Sequence, residues 1–327
     1  MAKELWLCRG EGTDPYENLA LEQYLLETVD PGSCILYLWQ NHRTVVIGRN
    51  QNPWAECRTE LLQEEGGHMA RRLSGGGAVF HDLGNLNFTF LAHQVDYDLE
   101  KQLTVLLRAC QKLGIPADRS GRNDLLADGR KFSGNAFYEH HKRCYHHGTL
   151  LVDVDLERMG RYLRPSPAKL ESKGVASVRS RVVNLAELAP GLTVERLAKQ
   201  LEEEFAAIYG GDVQQLPAER LDRQRLRELA VHNRSWEWLW GRKMTFTLQP
   251  RGRFPWGEVT ICLAVEQGVV TEAAVYTDAM DWSFAEPMGA ALTGCPLTAE
   301  ALRQALEGIS CGAEIRRDVG ALLERAL

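Results

Sequence analysis

Cysteine pairing is the first thing missing from this chain. The closest two of its eight cysteines, Cys295 and Cys311, lie 16 residues apart, so no Cys-x-x-Cys pair or zinc-ligand spacing exists. Cys34 in CILYLW and Cys262 in VTICLAV sit inside apolar runs and read as reduced, buried thiols. No run of 18 or more apolar residues occurs, which excludes a membrane-spanning helix of the ordinary kind. The opening MAKELWLCRG has neither a long apolar stretch nor a small-residue cleavage site, so no secretory signal is expected and the cytosol is the expected compartment. Positive charge is not in excess either. A net charge of −6 argues against a dedicated nucleic-acid binder while leaving room for a local basic patch. Internal repeats and low-complexity tracts are absent.

What is present is the balance of a globular protein, 44% apolar and 25% charged over 327 residues, enough for two cores. The expected division is 1–243 and 244–327. A strand over Glu4–Cys8 precedes a helix that Asp14 caps and Pro15 starts. CILYLWQ and TVVIG, divided by Asn41-His42, read as a hairpin, and Pro53 starts a helix running to Gly66-Gly67. Strands follow near Met69–Leu73, Ala78–Phe80 and Asn87–Leu91, then a helix over 98–113. Asp128-Gly129 is a two-residue hairpin signal, HGTLLVDV a further strand, and 193–209 a helix. Trp236, Trp238 and Trp240 recur at period two, as on a half-buried strand or docking edge. Beyond them TFTLQ, GEVTICLAVEQGVVTEAAVY and two helical stretches make a unit of its own. Strands come in neighbouring pairs, so the expected fold is α+β, with mixed, largely antiparallel sheets and flanking helices.

The chemistry concentrates in two stretches. In RRLSGGGAVFHDLGNLNFTF, Gly75, Gly76 and Gly77 remove every Cβ from one loop, which can then present backbone N–H groups to an anion beside Arg71 or Arg72. A plain glycine turn is the competing reading, and the Gly-Lys-Ser/Thr ending of a phosphate-binding Walker loop is missing. His81-Asp82 reads as a pair that satisfies backbone groups at a strand end. In GRNDLLADGRKFSGNAFYEHHKRCYHHGTLLVD, Lys131 follows the turn and is followed by Ser133 and Gly134. Small neighbours suit close approach of a ligand, and an ammonium suits a site that holds carboxylate and phosphate together. Asn123-Asp124 offers a carboxylate for Mg²⁺. His140, His141, His146 and His147 are not expected to bind metal, because adjacent residues on a strand point apart.

RRLSGGGAVFHDLGN, GRNDL, GRKFSGNAF, HHGTLLVDVDL and SKGVASVRSRVVNL occur in this order at a spacing that resembles bacterial lipoate–protein ligases of the two-domain type. The resemblance covers most of residues 15–240, and the segment after WEW is similar to that family's accessory domain. It implies a biotin/lipoyl ligase-like adenylating domain. ATP and lipoate would be bound by Arg72, Ser74, Gly75, Gly76, Gly77, Ala78, Val79, Phe80 and His81. Asn123, Asp124, Lys131, Ser133, Gly134 and Ala136 would complete that site with Ser177, Val178 and Arg179 of a closing loop over Gly174–Arg181. Lys131 would bridge the acyl carboxylate and the α-phosphate, Asp124 would meet Mg²⁺, and parts of the AVF and NFTF strands would supply a dry slot for the acyl tail. ATP with Mg²⁺ and lipoate are thus expected as substrates, octanoate as a possible substitute, with no tightly bound cofactor. The expected partners are lipoyl domains of 2-oxoacid dehydrogenases and the lipoate carrier of glycine cleavage, with no nucleic acid and no membrane. Residues 244–327 are expected to move as a module, with a rigid stabilising appendage as the competing reading. The alternatives are an octanoyl or lipoyl transferase or amidotransferase using Cys144, and a noncatalytic binding protein; a biotin ligase is disfavoured because its glycine-arginine-glycine-arginine loop is absent.

Overall fold

The structure, a computed structural model, describes residues 4–120, 124–164, 182–241 and 245–327. The described residues fall into two compact units, one of 1–46, 57–70 and 79–239, the other of 47–56, 71–78 and 240–327. The fold class is α+β, with mixed and antiparallel sheets and flanking helices.

In chain order the strands of the N-terminal part are β1 (Glu4–Arg9), β2 (Ser33–Trp39), β3 (Thr44–Ile47), β4 (His68–Arg71), β5 (Val79–His81), β6 (Asn85–His93), β7 (Ala117–Ser120), β8 (Asp124–Ala127), β9 (Arg130–His140), β10 (Arg143–Leu151) and β11 (Val213–Gln215). Eight of them form one sheet in the order β11-β1-β2-β6-β10-β9-β8-β7, and β4-β3-β5 form another. β1 runs parallel to β2 and β11, because the Pro15–Thr28 helix crosses over between β1 and β2. Asp14 starts that helix by accepting from the N–H groups of Tyr16 and Glu17.

The expected hairpin of CILYLWQ and TVVIG does not form. β2 lies between β1 and β6, whereas β3 pairs with β5 in the other sheet. All seven β2 residues are buried, the signature of an interior strand covered on both faces. The hairpin at Asp128-Gly129 does form, with φ of 52° and 69° at the two turn residues. The helix expected from Pro53 to Gly66 is two short ones, Pro53–Glu56 and Thr59–Glu64, interrupted where Cys57 bridges Leu163. Trp236–Trp240 is a helix whose Trp238 N–H is capped by Ser235 Oγ, not a strand. Five residues are too few for a period of two to be told from a helical turn.

Registers divide the large sheet into two unlike faces. Leu36, Leu38, Phe88, Phe90, Leu86 and Leu150 point to the face packed by the Leu99–Lys112 and Val194–Tyr209 helices. Each fully buried side chain of this size contributes roughly 1.5–3 kcal/mol. Tyr37, Trp39, Asn87, Thr89, Tyr145 and His147 alternate with them and share the other face. The 240–327 part has a core of its own around Val259, Ile261, Phe284 and Met288. There β12 (Arg251–Phe254), β13 (Gly257–Glu266) and β14 (Val269–Thr277) form an antiparallel sheet. Three helices follow, Ala285–Leu292, Ala299–Glu307 and Ala313–Glu324, one more than expected. TFTLQ contributes only an isolated bridge from Leu248 to Leu263.

His146 is a buried polar side chain on the dry face. Its ring lies against Phe88, Phe90 and Phe137, with Gln102 Oε1 at 3.1 Å and Asn135 Oδ1 at 2.8 Å from its nitrogens. Burial, aided by neighbouring His147, lowers its pKa from 6.5 to about 3. The unfolded chain therefore takes up this proton first on acidification. The contribution is intact above pH 6.5 and is lost as pH falls from there toward 3, at about 1.4 kcal/mol per pH unit. Denaturant unfolding between pH 7 and pH 4.5 should show His146→Asn with a shallower acid slope than the parent; identical slopes would remove His146 from the acid response.

Candidate functional site

Lys131 is the second residue of β9, and an irregularity in that strand aims it. Leu125 pairs with Ser133 but Leu126 pairs with Lys131, so Phe132 is one residue too many. Such a bulge breaks the alternation of faces. Phe132 enters the dry core, fully buried, and Lys131 is freed to turn to the polar face. Its ammonium meets Asp124 Oδ1 at 2.7 Å, with both side chains roughly one-third exposed. A Cβ on Gly134 would lie 2.9 Å from Lys131 Nζ, so the glycine leaves the space that the ammonium occupies. Val183 N–H donates to the Lys131 carbonyl at 2.9 Å, and Val182 bridges Lys131. Ser133 and Ala136 are buried on the same strand.

The polar face carries a connected set of groups that sequence reading did not single out. Trp39 Nε1 donates to Thr89 Oγ1 at 3.1 Å, and Thr89 donates to Glu22 Oε1 at 2.7 Å. Glu22 also lies 2.8 Å from His147 Nδ1, and all four residues are buried. Tyr37 stacks on Trp39, and Tyr145 lies 4.5 Å from His147. A signal did exist: Asn18, Glu22 and Leu25 recur at helical spacing on the buried side of their helix, where a carboxylate needs partners. The NFTF stretch divides between the two faces. Phe88 and Phe90 are in the dry core, and only Asn87 and Thr89 reach the polar side.

The glycine loop is held from both sides by backbone. Arg49 N–H donates to Ser74 O at 2.9 Å, and a Cβ on Gly48 would lie 2.2 Å from Gly76 O. Gly76 has φ +90° and donates to Ala279 O at 3.1 Å. The two arginines divide the bracing. Arg71 Nη1 donates to the carbonyls of Gly48, Arg49 and Gln51, and burial lowers its pKa to about 10. Arg72 Nη2 donates to Gly75 O and Gly77 O, each at 2.8 Å, and its Nε to the buried Ser74 Oγ. Ala78 and Val79 are half-buried, while Phe80 is buried against Tyr162. His81 Nδ1 accepts from Asn41 Nδ2 at 3.1 Å. Asp82 accepts from the N–H groups of Gly84 and Asp155, as expected of a carboxylate at a strand end.

Asn123, Ser177, Val178, Arg179 and the rest of Gly174–Arg181 lie outside the described residues. Among the described residues no three His, Cys, Asp or Glu side chains group as metal ligands, and no helix is long and apolar enough to cross a membrane. Cys144 pairs with Glu139, eight positions along β9 from Lys131. That is roughly 26 Å at the rise of a strand. The thiol is buried, and burial with nearby Glu139 raises its pKa to about 11. A thiolate nucleophile needs the opposite shift.

Residues 14–206 match the lipoyl protein ligase A/B catalytic domain. The chain belongs to that family. Residues 243–321 match the bacterial lipoate protein ligase C-terminus, so both parts of this ligase-family chain are accounted for. Among solved structures it is similar to LipL1 of P. falciparum in complex with lipoate, at 25% identity and a TM-score of 0.83, covering 99% of this chain and 100% of the other. A structure from the archaeal lipoylation system of Thermoplasma acidophilum, described as a bipartite lipoate protein ligase and its E2 lipoyl domain, matches at 25% identity and TM-score 0.64 over 75% of this chain and 99% of the other. A lipoate-protein ligase A bound with ATP shares the fold at 24% identity and TM-score 0.62, over 74% and 99%.

The loop's tight backing makes a stability prediction. A Cβ on Gly75 would lie 2.3 Å from Ala279 O and 2.8 Å from Met280 O, both backbone atoms, whereas nothing lies within 4 Å at Gly12. Gly75→Ala should cost about 1–3 kcal/mol in denaturant unfolding and Gly12→Ala close to nothing; equal effects would show that the loop is not confined. Cys144 should resist iodoacetamide in the folded protein at pH 8, where roughly one thiol in a thousand is ionised. Modification as fast as that of a free cysteine would contradict the shift.

Proposed function

We propose that this family member is an ATP-dependent lipoate–protein ligase, with 1–243 as the adenylating and transfer domain and 244–327 as its accessory domain. The observation that carries the reading is the Lys131 ammonium on the polar face, held 2.7 Å from Asp124 by a partner that substrate can replace. The lipoate in the LipL1 structure and the E2 lipoyl domain named with the archaeal ligase support the substrate and the class of acceptor.

The mechanism follows from charge. A carboxylate has a poor leaving group and does not acylate an amine at neutral pH. A lipoate carboxylate oxygen attacks the α-phosphorus of ATP, the bond to pyrophosphate breaks, and lipoyl-AMP forms. The neutral amine of an acceptor lysine then attacks the acyl carbon, the bond to AMP breaks, and the amine proton passes to solvent. Lys131 brings two anions together and offsets the charge that builds on the α-phosphate, an electrostatic role that needs no covalent bond to the enzyme. Arg72 and the backbone from Ser74 to His81 would hold the nucleotide, and Ser133, Gly134 and Ala136 would line the reacting end. Asn123, Ser177, Val178 and Arg179 are proposed to complete it. Asp124 is the carboxylate that would hold the Mg²⁺ of MgATP, which phosphate oxygens and water otherwise ligate; bound there it offsets phosphate charge. The chain's acceptors would be lipoyl domains of 2-oxoacid dehydrogenases and the glycine-cleavage carrier, and its compartment the cytosol.

Lys131→Ala should abolish lipoate-dependent exchange of pyrophosphate into ATP while leaving the unfolding midpoint unchanged, since the side chain is partly exposed. Lys131→Arg should also be poor, because a planar fork does not replace a point charge. Cys144→Ser should keep most activity and trap no acyl-thioester. Near-normal exchange in Lys131→Ala would remove the lysine from the reaction, and an acyl-thioester on Cys144 would favour a transferase.

A further inference from the structure

One row of the polar face leads from Lys131 across the large sheet to Trp39. Lys131 Nζ lies beside the missing Cβ of Gly134, whose N–H donates to Thr149 Oγ1 at 3.4 Å. Thr149 pairs with Asn87 on β6, and Asn87 pairs with Trp39 on β2. Two strand-to-strand steps, β9 to β10 and β10 to β6, separate Gly134 from Asn87, roughly 10 Å in all. The residues at the start of this row are small, a glycine and a threonine. The Trp39 ring, stacked on Tyr37, stands beyond Asn87.

Asn87 is only 2% exposed, yet its amide is half used. Its Oδ1 accepts from Asn85 Nδ2 at 2.9 Å, while its own Nδ2, also buried, has no hydrogen-bond partner among the described residues. The donors around it are committed elsewhere. Trp39 Nε1 donates to Thr89 Oγ1, Thr89 Oγ1 to Glu22 Oε1, and Tyr37 Oη to Asn18 Oδ1 at 3.1 Å. A buried N–H without an acceptor is unfavourable, because nothing replaces the water it gave up. An acceptor on a ligand would relieve it.

A row of this length suits an eight-carbon acyl chain whose carboxylate meets Lys131, as the ligase reading proposed above requires. At Asn87 octanoate brings its methyl end, whereas lipoate brings a dithiolane ring whose sulfurs are weak acceptors. We propose, resting on that reading, that Asn87 selects lipoate over octanoate, its Nδ2–H donating to a ring sulfur. With octanoate the same N–H stays buried and unpaired. A site built around one hydrogen bond disfavours the analogue that lacks it.

Calorimetric titration of the full chain with lipoate and with octanoate tests this. The parent should bind lipoate about ten-fold more tightly. Asn87→Leu should weaken lipoate and tighten octanoate, since an apolar side chain meets the methyl end; damage to the fold would weaken both acids together. Asn87→Asp keeps an acceptor for Asn85 but has no N–H, and should likewise bring the ratio near one. Equal binding of the two acids by the parent, or a ratio unchanged in either variant, would overturn the proposal. Lipoate-dependent pyrophosphate exchange by the parent reports the ligase reading separately. Its absence beside intact lipoate binding counts against that reading, and equal binding of both acids beside intact exchange counts against Asn87 alone.

Discussion

A single extra residue in β9 separates two requirements that a regular strand would set against each other. Phe132 must fill the dry core, and its neighbour Lys131 must bring a charge to the polar face. In an unbroken strand, Lys131 and Gly134 would lie on opposite sides, since residues three apart alternate. The register break at Leu125/Leu126 puts Lys131 Nζ beside the position of the missing Gly134 Cβ instead. The same sheet then supports both a hydrocarbon core and, through Trp39, Thr89, Glu22 and His147, a buried polar network. Moving Lys131 to the dry side would bury an unpaired ammonium, which costs several kcal/mol even after relaxation.

The glycine loop shows a second division of labour. Arg71 and Arg72 are adjacent, yet each guanidinium ties a different run of carbonyls, one behind the loop and one within it. Drawing carbonyls toward a fixed cation sets the orientation of the peptide planes, so no side chain from Gly75–Gly77 is needed to shape the loop. A Cβ is excluded at Gly75 and at Gly48 by facing backbone, which cannot move as a side-chain tip can. Preorganised dipoles of this kind require little rearrangement when charge arrives.

Much of the candidate site was legible because its residue types are unusual for their places. Three consecutive glycines beside two arginines, and a lysine followed by Ser133 and Gly134, make little sense as core or as ordinary surface. The polar face was harder to read. Trp39, Thr89 and His147 come from three strands distant in sequence, and Glu22 from a helix, so their meeting depends on strand order. The two faces of the NFTF stretch were hard to assign for the same reason: alternation separates Phe88 and Phe90 from Asn87 and Thr89, but does not say which set meets the helices.

By itself the sequence determined the local features: the Asp14 cap, the Asp128-Gly129 turn and the loop without Cβ atoms, each written in neighbouring residues whose conformational preferences act over one turn of chain. It also determined the family, through motifs kept in order. Tertiary structure alone decided that β2 would lie between β1 and β6 rather than pair with β3, that Phe132 would be the bulged residue, and that WEWLW would coil into a helix. Those outcomes rest on burial shared among segments far apart in the chain, and a stretch of a few residues carries no record of what will cover it.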